Sequence, residues 1–312
     1  MSFSQLNILG KKRTPFLFIC DYELNRVEVI PLDKLQDFDI EFAINQTDGI
    51  TSQKNPLRSE PISFTDYKQK FDQVIEKIKA GETYILNLTQ PTKVNTNLSL
   101  QEIYTRACAK YKLRYKDEFV CFSPETFVRI EADKIHTFPM KGTIDASIEN
   151  AKEKILSDVK EMAEHVMIVD LLRNDLSIVA TDVRVESFRY IEKIAAGEKE
   201  LLQVSSHISG VLEPEWENKL GDILKVLLPA GSITGAPKRS TVNIIKDIEG
   251  YNRGYFSGVF GIFDGDSFES AVMIRFLQKS EDGFIYKSGG GITLDSSATL
   301  EYQEYKDKVY IP

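Results

Sequence analysis

The chain has 312 residues, 42% hydrophobic and 28% charged, which excludes a disordered or fibrous polymer and is long enough to bury a sizeable core. Its formal net charge of −8 excludes nucleic-acid binding through a general basic surface, so an anionic small molecule must be held by local cations, backbone amides or a metal. Cys20, Cys108 and Cys121 are odd in number and show no close pairing, fitting neither a disulfide framework nor a zinc site. No apolar run follows a basic start and none approaches membrane-spanning length, so a soluble, cytoplasmic protein is expected.

In chain order, strands are predicted at 16–20 and 27–30, followed by a polar stretch, 45–60, that is the one plausible linker or lid. Tyr67, Phe71, Val74, Ile75 and Ile78 recur at helical spacing, and Gly81 stands where a C-terminal cap belongs. Residues 83–90 alternate as a strand. Ser99-Leu100-Gln101-Glu102 is a capping box that opens a helix running to about Lys110. Segments 119–122, 126–131 and 134–138 read as strands, with Ala132-Asp133 as a tight turn. The chain reads as helical from about Ile148 to Arg173. Most of the last third reads as β, interrupted by a helix from Pro237 to Glu249 that Gly250 ends. A terminal helix is predicted from about Thr299 to Val309. Strand runs with helices in separate blocks argue for α+β, and no segment marks an obvious boundary, so a single large domain over 1–312 is expected, with a short N-terminal strand region at about 1–60.

Four clusters could carry chemistry. Gly231-Ser232-Ile233-Thr234-Gly235-Ala236-Pro237-Lys238 leads into a helix and can present backbone N–H groups to an anion, or be an ordinary tight loop. Glu161 with Glu164, and Glu301 with Glu304, are spaced three apart on helices, so each pair can aim at one hard cation or line a solvated face. The first pair runs straight into Val166-Met167-Ile168-Val169, too apolar for a surface helix, and a carboxylate buried there needs a partner. Lys141, in Pro139-Met140-Lys141-Gly142-Thr143 past a strand, is either an exposed loop lysine or a pocketed nucleophilic amine. Arg275 is read as lying on an apolar strand with Ala271-Val272-Met273-Ile274, where an arginine needs an anionic partner, and Gly289-Gly290-Gly291 allows close approach of a ligand or forms a bulge.

Together these stretches resemble the chorismate-utilising enzymes, the family of anthranilate, aminodeoxychorismate, isochorismate and salicylate synthases. The likeness covers roughly residues 64–310. It is carried in family order by Ala80 to Leu88, Ser123-Pro124-Glu125, Pro139 to Thr143, Glu164 to Asp175, Gly231 to Lys238, Ile274-Arg275, Gly289 to Ile292 and Glu301-Tyr302-Gln303-Glu304. The resemblance implies a fold of two packed, mainly antiparallel sheets flanked by helices. It implies Mg²⁺ ligated by Glu164 and Glu304, with Glu161 and Glu301 nearby through water. Ser232, Ile233, Thr234, Gly235, Ala236, Arg275, Gly289, Gly290 and Gly291, together with Thr143, would bind the substrate, and Glu125 would be the general acid–base with a raised pKa.

Within the family, lysine at position 141 is similar to the aminodeoxychorismate branch, where relatives making other products carry alanine. That branch implies amination of chorismate at ring carbon 4, with Lys141 as covalent nucleophile, on the route to p-aminobenzoate and folate. Gln203 stands where many relatives have a histidine linked to loss of pyruvate, and glutamine cannot shuttle a proton at neutral pH. The alternatives are an anthranilate synthase component I and a non-catalytic chorismate-binding relative. No cysteine has the surroundings of a glutaminase nucleophile, so ammonia is expected from a separate class I glutamine amidotransferase.

Overall fold

The computed structural model describes residues 2–45, 57–196 and 199–312, and part of the predicted linker or lid, 46–56, lies outside the described residues. The chain forms two compact units, each assembled from three stretches: Met1–Leu35, Glu125–Ser232 and Gly258–Val272 make the first, and Gln36–Pro124, Ile233–Ser257 and Met273–Pro312 the second. Each unit is built on one antiparallel sheet.

In the first unit the strands lie in the order 140–145, 199–211, 134–137, 126–131, 268–272, 259–263, 16–20 and 27–31, with 181–196 also paired to 199–211. The hairpin between 126–131 and 134–137 turns at Ala132 and Asp133, both at positive φ (46° and 60°), the mirror-image turn that matches strand twist. The strand Phe16–Cys20 is buried at every position, which explains its unbroken apolar run. The segment predicted as one helix over 148–173 is two helices, Ala151–Ser157 and Val159–Ser177. Asp158 separates them. Its extended backbone ends the first helix, and its side chain accepts from the Glu161 amide as N-cap of the second.

The second unit's sheet has the order 235–236, 85–95, 283–292, 276–280, 119–123, 111–115 and 40–44, with 58–60 paired to 85–95. Helices Phe64–Lys79, Lys238–Glu249 and Ala298–Asp307 bury one apolar cluster together with this sheet: Tyr67, Phe71, Val74, Leu86, Leu88, Ile244, Ile245, Ile248, Ile292 and Tyr305. The predicted spacing of Tyr67, Phe71 and Val74 thus faces a real core, and truncating such an aromatic would cost about 3–5 kcal/mol. The capping box at Ser99 forms both its hydrogen bonds, but the helix stops at Arg106, because 111–115 pairs into the sheet. No described helix is long and apolar enough to cross a membrane.

Candidate active site

In the first unit residues 140–143 lie in the strand Met140–Asp145, and its pairing with 199–211 shifts register between Met140 and Thr143. Gly142, at φ +93°, carries this bulge. A bulge re-aims its neighbours, and Lys141 Nζ reaches Glu164 Oε2 at 2.6 Å. Glu164 is 3% exposed. Its other oxygen, Oε1, has no hydrogen-bond partner among the described residues, with Lys160 Nζ at 3.6 Å. Glu161 stands one turn earlier; a Cβ at Gly142 would lie 3.1 Å from Glu161 Oε2.

Glu164 and His165 share the buried face of their helix with Ile168, Val169, Leu172, Asp175 and Leu176. This is why an acidic residue beside an apolar run is not a solvated face here. His165 Nε2 lies 2.7 Å from Ser206 Oγ, and burial pushes the imidazole down to about 4, so it is neutral at pH 7.

Gln203 has a structural task that its position in the sequence did not reveal. Its amide donates to the Gly142 carbonyl at 3.0 Å, and its Oε1 accepts from Thr143 Oγ1 at 2.9 Å. The glutamine therefore braces the bulge beside Lys141. Glu125 accepts a hydrogen bond from Ser232, which joins two of the expected site residues in this unit.

In the second unit Glu301 and Glu304 converge on the strand 283–292. A Cβ at Gly290 would sit 3.3 Å from Glu304 Oε1 and 3.4 Å from Glu301 Oε2. Glu301 accepts from Ser296 Oγ at 2.9 Å, and Lys308 Nζ pairs with Glu304 at 2.6 Å while donating to the Gly289 carbonyl at 2.7 Å. Burial raises the Tyr67 phenol, and the two carboxylates add to that. Arg275 is not inside a strand. It occupies a left-handed position (φ 52°) just before strand 276–280, and its guanidinium lies 5.2 Å from the Tyr310 ring centroid.

Gly235 and Ala236 form a two-residue strand opposite Leu86 and Ile85, with Pro237 as N-cap of the following helix. Gly235 has φ +128°, and a Cβ there would lie 1.9 Å from the Ile85 carbonyl oxygen. Gly235→Ala is therefore expected to destabilise the protein by roughly 2–4 kcal/mol, read as a lowered denaturation midpoint. A midpoint equal to wild type would show that this backbone is not held as described.

Both acidic pairs offer hard oxygen donors, and Glu164 has an oxygen available in a buried setting. Within neither unit do three described His, Cys, Asp or Glu side chains gather around one point. A pair suffices for Mg²⁺, which usually takes one or two carboxylates and fills its octahedron with water and substrate oxygens. The residues present fit that ion. Lysines 160 and 308 fall outside the sequence motifs, although each stands four residues from the glutamate it meets, a spacing visible in the sequence.

The chorismate binding enzyme family matches residues 21–311. An uncharacterized PabA-like protein of Haemophilus influenzae is 46% identical over 99% of this chain and 95% of its own length. Anthranilate synthase component 1 of Archaeoglobus fulgidus is 31% identical, covering 97% of this chain and 76% of that protein. Aminodeoxychorismate synthase component 1 of Salmonella typhimurium is 30% identical, covering 83% and 61%. Among solved structures, a putative 2,3-dihydroxybenzoate-specific isochorismate synthase, DhbC, from Bacillus anthracis superposes with a TM-score of 0.75 at 18% identity, over 98% of this chain and 88% of that one. The protein is thus an α+β protein of two mainly antiparallel sheets flanked by helices, and it belongs to the chorismate binding enzyme family.

Proposed function

We propose that this chain aminates chorismate at ring carbon 4, using ammonia and Mg²⁺, to give 4-amino-4-deoxychorismate for p-aminobenzoate and folate synthesis. The observation that carries the reading is Lys141: its amine is aimed off a braced bulge at the buried Glu164, and is not an exposed loop lysine. Similarity to an aminodeoxychorismate synthase component supports it.

The chain's own residues would act as follows. The Lys141 amine adds at ring carbon 2, the two ring double bonds shift, and the hydroxyl leaves carbon 4 with a proton from Glu125. Ammonia then adds at carbon 4, the double bonds shift back, and the lysine amine departs from carbon 2. Water is the by-product and no oxidant is needed. Thr143, the 232–236 backbone, Arg275 and Gly289–Gly291 would hold the substrate dianion. Mg²⁺ at Glu164 and Glu304, with Glu161 and Glu301 through water, would neutralise a substrate carboxylate and take over the charge that Lys141 meets on Glu164.

Ammonia would come from a separate class I glutamine amidotransferase. An activated thiol needs a lowered pKa, whereas burial, helped by Asp21, pushes Cys20 up to about 12, and burial raises Cys121 as well. Purified chain given chorismate, Mg²⁺ and an ammonium salt at alkaline pH should therefore form a non-aromatic product that yields p-aminobenzoate after a lyase is added. Glutamine alone should support no turnover. Direct formation of anthranilate would favour the second reading, an anthranilate synthase component, to which the Archaeoglobus fulgidus relative lends support.

A further inference from the structure

Strand 85–95 meets strand 283–292 along one edge, with Gly289 opposite Thr89 and Gly291 opposite Asn87. Along the other edge its partners are short. Gly235 and Ala236 pair with Leu86 and Ile85, and strand 58–60 pairs only with 93–95. The intervening backbone groups need partners if buried, and one backbone carbonyl and two side chains supply them. The Asn87 amide donates to the Thr234 carbonyl at 2.9 Å, the Asn87 carbonyl accepts from Arg253 Nη2 at 2.7 Å, and the Thr89 amide donates to Glu249 Oε1 at 2.8 Å.

Arg253 and Glu249 are both 1% exposed and form a two-pronged pair, Nε to Oε2 at 2.9 Å and Nη2 to Oε1 at 2.7 Å. The remaining fork of the guanidinium, Nη1, donates to the Ile233 carbonyl at 2.8 Å. Lys287, which directly precedes Ser288 and the three glycines, donates to the Arg253 carbonyl at 2.8 Å. One buried pair thus ties together the start of the 233–236 segment, the middle of strand 85–95 and the entry to the glycine run. Stability alone does not explain it, because replacing a buried ion pair by apolar groups is often neutral or stabilising. What a planar guanidinium offers instead is fixed geometry at several acceptors at once.

We propose that Arg253, oriented by Glu249, is a positioning residue. Its guanidinium sets the backbone of 233–236 relative to strand 85–95, and so to Gly289–Gly291, keeping these segments arranged for a carboxylate-bearing substrate. The substrate half of this inference rests on the reading that the chain uses chorismate.

Arg253→Lys keeps a cation beside Glu249 but cannot span the Asn87 and Ile233 carbonyls. In hydrogen exchange by mass spectrometry, the amides of 233–236 should exchange roughly tenfold faster or more, while 276–292 keep wild-type protection. In the ammonium assay, KM for chorismate should rise roughly tenfold with kcat changed far less, the mark of lost ground-state positioning. Glu249→Gln leaves the guanidinium donors in place and should show the same pattern more weakly; it decides the matter if the lysine variant does not fold. Unchanged exchange at 233–236, a uniform loss of protection, or local loosening with an unchanged KM would each overturn the proposal. Local loosening in a chain whose wild type neither binds nor converts chorismate would instead uphold the positioning and reject the chorismate reading.

Discussion

Lys141→Arg is expected to lower kcat for amination of chorismate by about a thousandfold or more while the protein stays folded. Arginine preserves a cation opposite the buried Glu164, so the 2.6 Å pair can be re-formed, but a guanidinium is always protonated and cannot add to carbon 2. Lys141→Ala loses the same activity and also leaves Glu164 facing an empty space, which should lower stability by about 3 kcal/mol, moderated by Lys160 at 3.6 Å. The pair of variants separates chemistry from charge balance. Wild-type protein incubated with chorismate and Mg²⁺ but no ammonia should carry an adduct on Lys141 that peptide mass mapping locates. Full turnover by the arginine variant, with no adduct in wild type, would mean that ammonia attacks directly.

If the proposed Mg²⁺ site holds, Glu164→Gln and Glu304→Gln are expected to raise the Mg²⁺ concentration for half-maximal activity at least roughly tenfold, since each would remove a charged oxygen from a hard cation and lesser perturbations of metal sites already cost that much. The two should differ in stability. Glu164 is buried against Lys141, so its neutral replacement strands a lysine that is 23% exposed, whereas Glu304, 44% exposed, leaves Lys308 with the Gly289 carbonyl as acceptor. Titrating activity against Mg²⁺, with thermal denaturation alongside, checks both statements. Midpoints equal to wild type in both variants would remove these carboxylates from the metal site.

Much of the candidate site was legible because its parts are local in sequence. The i, i+3 glutamates, the capping box at Ser99, the hairpin turn at Ala132-Asp133 and the small-residue run 231–236 announce themselves through spacing and backbone preference, which neighbours in the chain decide. Elements were misplaced where long-range pairing outweighed local preference. Residues 111–115 pair with 119–123 and 40–44, which ends the preceding helix early, and Asp158 caps a new helix inside what periodicity read as one. The N-terminal helix Phe3–Lys11 leaves little periodic signal in the sequence, because its buried face is only Leu6, Leu9 and Gly10.

By itself the sequence determined the α+β class and the family motifs, and it singled out Lys141, Glu125 and the two acidic pairs as candidates, since motif order and residue chemistry need no coordinates. Only the tertiary structure decided that Lys141 meets Glu164, that Gln203 braces Gly142 and Thr143, and that Arg253 and Glu249 stand in for a missing length of strand. The first two depend on a register shift between strands more than fifty residues apart, and the third on where a neighbouring strand stops. Pairing register is a property of the assembled sheet, so no window of the chain encodes it.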